Sequence, residues 1–292
     1  MEFKKIISIG DCHGRQYWKN ALFGGISQFD QWAVEVFEGI GDFMSDQYPF
    51  SKYDKVVFIG DYVDSFNIRN IDIKKNLEDI ILFKKTFPNK VVLLLGNHDL
   101  QYRNGEKYVC SGYRPEAKYD LGELLNTKVN GVDLFQAAYK YKNWLWTHAG
   151  ITLGFKIDCI DTVLKKKANN MYADLFDEDM DIDEFINTMY GIEHPYVFRV
   201  SHARGGSSNV PGPFWADRRE LLDKPMYDLN QIVGHTPATD ISGYHFNAGR
   251  YEGKDQKIYF IDCLGNDIRN YLVLEENDKG IMNPKVVKES EV

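Results

Sequence analysis

Cysteine is scarce. The chain of 292 residues has four, Cys12, Cys110, Cys159 and Cys263, far apart and without a Cys-x-x-Cys pair. That spacing gives no support to a zinc ribbon or a disulfide framework. The cysteines read as small buried apolar residues of a reducing compartment. Long apolar runs are also missing: the longest reach five or six residues, too few to cross a bilayer. Lys4 and Lys5 precede only Ile6, Ile7 and Ile9 before Gly10-Asp11 interrupts, which leaves no room for a signal peptide. The expectation is a cytoplasmic protein without a membrane partner. Positive charge is in deficit, with 35 basic against 43 acidic residues and a net charge of −8. Such a chain does not attract a polyanion through counterion release, so general nucleic-acid binding is disfavoured. Part of the acidity suits bound cations. Low-complexity linkers and repeats are absent too. The length then reads as one domain, 1–292, with insertions near 17–53 and 159–213 and a charged tail over 277–292 expected to fray.

What is present is a recurring pattern. Five apolar runs each lead into a turn that contains glycine and presents Asp, Asn or His. Phe3 to Ile9 leads into Gly10-Asp11-Cys12-His13-Gly14, and Lys55 to Ile59 into Gly60-Asp61-Tyr62-Val63-Asp64. Lys90 to Leu95 leads into Gly96-Asn97-His98-Asp99, and Trp144 to Trp146 into Thr147-His148-Ala149-Gly150. Gln231 to Val233 leads into Gly234-His235-Thr236-Pro237. The first three runs are continuous in Val, Ile and Leu, as in strands buried on both faces. Further strands are expected at Lys257 to Ile261 and Tyr271 to Leu274. Helices are expected where Ile73, Leu77, Ile80 and Ile81 form a stripe ending near Pro88. A second stripe joins Phe29, Trp32, Ala33, Val36, Phe37 and Ile40, and a short helix runs from Asp183 to Met189. The pattern is α/β. Ligands of open α/β sheets gather at the carboxyl ends of strands, so five strand ends can converge on one site.

Asp11, His13, Asp61, Asn97, His148 and His235 offer carboxylate, imidazole and amide donors. That mixture suits borderline divalent ions such as Mn, Fe or Zn, whereas Ca and Mg sites are mostly all oxygen. Sharing Asp61 between two ions uses all six ligands. Two ions roughly 3.5–4 Å apart can hold a bridging hydroxide and clamp phosphate oxygens. His98 and Asp64 remain, and a His oriented by a carboxylate suits general-acid work.

Taken in order, these five motifs resemble those of the calcineurin-like metallophosphoesterases, most closely the PPP-type branch of serine/threonine protein phosphatases with its bacterial and phage relatives. The resemblance runs from Met1 to about Leu264. It implies a four-layer αββα sandwich of two mixed β-sheets flanked by helices. It implies Asp11 and His13 as ligands of a first metal, Asp61 as the bridge, and Asn97, His148 and His235 as ligands of a second. His98 resembles the general acid and Asp64 its partner. Pro237 stands where many relatives place another ligating His, as in the PPP branch. That branch also continues its second motif with Arg-Gly, and the Arg grips phosphate; this chain has Ser65-Phe66. Arg204 and Arg218 are candidates to substitute.

Other features read as structural: Asp42, which imitates a motif after a helical stripe; Asp99, as a turn residue; and Lys165 to Lys167, as a solvated face. Tyr102, Tyr108, Tyr113 and Tyr119 are expected to pack a loop. Three functions stay open: a phosphomonoesterase acting on phosphorylated protein or small phosphoesters, a hydrolase similar to the diadenosine-tetraphosphatases, and a noncatalytic module on a phosphatase scaffold.

Overall fold

A computed structural model describes residues 4–39, 46–103, 109–161, 175–177, 179–227, 229–246 and 256–292. Asp42, Tyr108 and Lys165 to Lys167 lie outside them. In chain order the first half runs β1 (Lys5–Ile9), α1 (Tyr17–Phe23), α2 (Ile26–Glu38), β2 (Lys55–Phe58), α3 (Asn70–Thr86), β3 (Val91–Leu94), α4 (Asn97–Arg103) and α5 (Lys118–Leu125). A small hairpin, β4 (Lys128–Val129) and β5 (Val132–Asp133), precedes β6 (Phe135–Gln136), β7 (Ala138–Tyr141) and β8 (Trp144–Thr147). Then follow α6 (Ile182–Gly191), α7 (Arg218–Asp223), β9 (Asn230–Val233), β10 (Ser242–Phe246), β11 (Gln256–Phe260), β12 (Asn270–Glu276) and β13 (Met282–Lys288).

Two mixed sheets face each other. The first has the order β13-β12-β1-β2-β3-β6 and the second β10-β11-β9-β8-β7. Period-two alternation sorts each strand's side chains between two layers. Ile6, Val57, Val92, Leu94, Leu272 and Leu274 of the first sheet meet Trp144, Trp146 and Ile232 of the second. The polar intruder there, Ser8, accepts the Trp146 indole N–H at 2.9 Å, so burial leaves neither group unpaired. On its other face the first sheet turns Ile7, Ile9, Val56, Phe58 and Leu93 toward Trp18, Phe29, Trp32, Leu77, Ile80 and Phe83 of α1 to α3. Leu221 of α7 covers Val233, Ile258 and Phe260 on the outside of the second sheet. The αββα layering expected from the sequence is therefore present.

The helical stripes fall where their spacing places them, with one exception. In α2, Phe29, Trp32 and Ala33 are buried and Val36 packs half-buried against them, but Phe37, beside Val36 in the last turn before Gly39, is 79% exposed; Ile40 lies outside the described residues. The tail needs a correction. Residues 282–288 do not fray: β13 pairs antiparallel with β12 from Asn270↔Lys288 to Glu276↔Met282. Pro284 and the charges are tolerated because β13 is an edge strand, where a missing N–H costs little and lysines deter further pairing. No helix among the described residues is long and apolar enough to cross a membrane.

Candidate active site

Parallel pairing aims strand ends the same way. β1, β2 and β3 are parallel in the first sheet, and β8, β9 and β11 in the second. Their carboxyl-end loops bring all six candidate ligands together. Ligand atoms of Asp11, His13 and Asp61 lie within 4.8 Å of one another. Asp61 Oδ2 stands 3.8 Å from His13 Nε2 and 3.4 Å from His148 Nε2, which is the position a shared carboxylate needs. Asn97 Oδ1 lies 2.8 Å from His148 Nε2 and 2.7 Å from His235 Nδ1.

The backbone fixes which nitrogen each imidazole presents. His13 Nδ1 meets the carbonyls of Val63 and Asp64 at 2.9 and 3.0 Å, and His148 Nδ1 meets that of Ile59 at 3.1 Å. A carbonyl can only accept, so both Nδ1 atoms donate, and each ring turns Nε2, the nitrogen a cation would take, toward Asp61. Asp11 Oδ2 accepts the His235 backbone N–H at 2.8 Å, while Asp11 Oδ1 and His235 Nε2 are buried without a partner. Two orphaned donor atoms in a buried nest of carboxylates and imidazoles fit divalent cations.

This crowding is held by backbone strain. His13, Asp61, Asp64 and His235 all have positive φ, between 46° and 64°, a region costly for residues with a Cβ. Glycine is required beside them. A Cβ on Gly96 would fall 2.0 Å from Asp61 Oδ1, and one on Gly234 would fall 1.9 Å from Asp11 Oδ1.

Electrostatics point the same way. Burial, then the charges of Asp262 and Asp61, push the Asp11 carboxyl well above its usual range. Burial and Asp61 lift Asp99 to about 7, and burial lifts Asp262 to about 6 although His13 opposes it. Asp61 goes the other way: burial disfavours its charge, but His148, His98 and His13 hold it ionised. A pocket of mutually repelling carboxylates is a pocket arranged for positive charge.

His98 stands beside this nest, its ring edge-on to His13 at 5.2 Å between centroids. Its Nδ1 lies 2.9 Å from Asp64 Oδ2, leaving Nε2 as its other face. Burial lowers the His98 pKa, but Asp61 and Asp64 outweigh burial and raise it to about 9. The Asp64 carboxylate also accepts from Gln101 Nε2 and from the Tyr102 hydroxyl. Asp99 is more than a turn former: its carboxylate accepts the backbone N–H groups of Asp61, Tyr62 and Gly96, tying the second motif to the third.

The two arginines separate. Arg204 borders a cavity of about 570 Å³ together with His13, His98, His235 and Trp215. Its Nη2 donates to Thr236 Oγ1 at 2.6 Å and its Nε pairs with Asp217 at 3.1 Å. The expectation for Arg218 is corrected. It does not border the cavity; its guanidinium stacks on Tyr244 and Phe260 and hydrogen-bonds to the Tyr244 hydroxyl. Tyr102, Tyr113 and Tyr119 do not line the cavity either: Tyr102 is buried against Tyr113 and Tyr119 is 86% exposed.

Sequence reasoning passed over Asp262 and Gln101, and read Tyr102 only as loop packing. Asp262 is buried and borders the same cavity. It stands two residues after the end of β11, so an Asp just past a strand was the available signal, although no glycine precedes it. Gln101 and Tyr102 follow His98 by three and four residues on α4, a spacing that shares one helix face.

No curated protein matches the sequence. Among solved structures the chain is similar to a point mutant of a cold-active protein tyrosine phosphatase, at 17% identity and a TM-score of 0.48, over 97% of this chain and 80% of that one. It is also similar to a dimetal phosphatase from Danio rerio, at 13% identity and a TM-score of 0.36, over 98% and 99%. The profile of the calcineurin-like phosphoesterases matches residues 4–263, a span that holds every strand end converging on the Asp11, Asp61 and His235 nest, and the chain belongs to that family.

Proposed function

We propose that this phosphoesterase is a dinuclear, PPP-type serine/threonine protein phosphatase. The observation that carries the reading is Asp61 Oδ2, placed between His13 Nε2 and His148 Nε2 at 3.8 and 3.4 Å. Asp11, His13 and Asp61 would hold one divalent ion, and Asp61, Asn97, His148 and His235 the other, with Mn the first choice for mixed N and O donors. When bound, such ions supply Lewis-acid charge to phosphate oxygens and an activated water.

This chain's own residues do the rest. Arg204, held by Asp217 and Thr236, grips a phosphoryl oxygen from the cavity wall. His98 holds a proton at Nε2 for the departing oxygen, with its ring aimed by Asp64. Pro237 in the last motif supports the PPP branch. The test is hydrolysis of phosphoserine and phosphothreonine peptides against dinucleoside polyphosphates with Mn added, read with the metal content of the protein. Preferred turnover of the peptides is the expected result. Preference for the dinucleotides refutes the protein-phosphatase assignment, and a metal-free protein without turnover refutes phosphoester chemistry.

A further inference from the structure

The cleft has a second arm. A cavity of about 360 Å³ is bordered by Arg15, Asp64, Phe66, Asn67 and Asn266. His13, His98, Ser111, Pro237 and Asp262 border both this arm and the larger one with Arg204, so the candidate reacting centre lies at their junction. Asp64, the residue behind His98, borders only the smaller arm. His98 itself borders both arms, so a leaving group that takes its proton can extend into the smaller one.

Arg15 is the cation of this arm, and it has more to give than Arg204. Arg204 spends Nη2 on Thr236, and its Nε lies 3.1 Å from Asp217 without hydrogen-bond geometry. Arg15 spends only Nε, on Asp267 Oδ1 at 3.3 Å; among the described residues its Nη1 and Nη2 have no partner. The side chain is nevertheless only 16% exposed. Its anchor is itself anchored. Asp267 accepts the Tyr17 hydroxyl at 2.7 Å, and Arg269 stacks over the Tyr17 ring at 4.3 Å. The result is a guanidinium fixed along one edge and open along the other, preorganised for two parallel hydrogen bonds to a carboxylate or phosphate. Asp64 and Asp262 also border the arm and oppose an anion. Asp64 is already engaged by His98, Gln101 and Tyr102, and Asp262 borders the larger arm as well; Arg15 is the charged side chain with open donors that borders the smaller arm alone.

Resting on the phosphoesterase reading above, we propose that the smaller arm is a subsite for a second anion on the leaving group, gripped by Nη1 and Nη2 of Arg15. The enzyme then selects phosphoesters whose leaving group carries a carboxylate or phosphate close to the scissile phosphoryl group. Small Ser65 keeps the arm open, and Phe66, 81% exposed at its border, offers a flat apolar face to the remainder of that group.

Two matched pairs distinguish the sources of the anion: phosphoserine peptides with Asp or Asn beside the phosphoserine, and ADP against AMP. In at least one pair the wild type should favour the anion-bearing member, and Arg15→Gln should remove about 10- to 100-fold of kcat/KM from that member alone. Arg15→Lys should restore part of the preference. Absence of a preference in both pairs, or equal losses on both members, overturns the proposal. Calorimetry on the Mn-loaded protein separates this from the phosphoesterase reading. Phosphonoacetate or 3-phosphonopropionate should bind about tenfold tighter than propylphosphonate, and not in Arg15→Gln. That result with no turnover leaves the subsite standing and removes the enzyme assignment. Equal affinities in the wild type remove the subsite, even if Arg15→Gln fails to fold.

Discussion

Replacing Asp64 with Asn tests the proton donor most sharply. Three donors converge on the Asp64 carboxylate: His98 Nδ1, Gln101 Nε2 and the Tyr102 hydroxyl. Asn offers one acceptor oxygen and adds two N–H donors of its own. At least one converging donor is left unpaired in a buried place, which costs about 1–3 kcal/mol of stability. The catalytic cost is separate. His98 loses a charge-assisted hydrogen bond worth about 1.5–3 kcal/mol, or roughly 10- to 100-fold in protonation and aim. A serine alkoxide leaves poorly and needs that proton in the transition state; a nitrophenolate does not. Asp64→Asn should therefore slow β-glycerophosphate hydrolysis by about 10- to 100-fold and p-nitrophenyl phosphate hydrolysis much less. His98→Asn should show the same bias enlarged to roughly 100- to 10,000-fold. Tyr102→Phe is the control, since it removes one donor from Asp64 without touching His98: it should lower Tm and leave the ratio of the two substrates unchanged. The assay is both substrates at saturating Mn for each variant. Equal losses on both substrates would refute the acid and leave His98 as a support for the loop that carries Asn97.

Asp61→Asn should lower the metal content at both sites, whereas Asp11→Asn should empty mainly one; mass spectrometric metal counting after gel filtration decides, and two ions retained by Asp61→Asn end the bridging assignment. Gly96→Ala should abolish metal binding and destabilise the fold by at least about 2 kcal/mol, because the new Cβ collides with Asp61 Oδ1, and unchanged chemical denaturation with full metal content contradicts this. Arg204→Ala should cost about a hundredfold in kcat/KM with metals retained. Arg218→Ala should leave kcat/KM unchanged and lose about 0.5–2 kcal/mol of stability from its stacking on Tyr244 and Phe260, so a large catalytic loss in Arg218→Ala refutes the placement.

The buried strands were legible because sheet burial writes itself as continuous Val, Ile and Leu, and each such run ends in a turn with Gly. The candidate donors that meet at the strand ends were legible because they sit within those turns. Edges were harder. In β13 only Met282 and Val287 are buried, and Pro284 with interspersed lysines imitates a tail. Helix α4 was hidden because it begins on Asn97 itself, inside the motif. Arg218 was misassigned because sequence order does not tell which side of a sheet a helix covers; α7 lies outside the second sheet. Asp262 was missed because it stands just past a strand without the glycine that marked the others.

The partner strands of β1 have a consequence for how the chain is made. Lys5 faces Glu275 across one edge of β1, while Ile6 faces Lys55 across the other. A ribosome delivers the second partner early and the first much later. Throughout elongation the apolar stretch Ile6 to Ile9 has an unsatisfied edge, a template for pairing with other nascent chains. Pairing over so long a separation is also slow. Asp11 follows this strand directly, so its final position waits for β12. A cation held through Asp11 would then load only after synthesis, and a chain stalled before Asn270 would lack the strand that fixes that position.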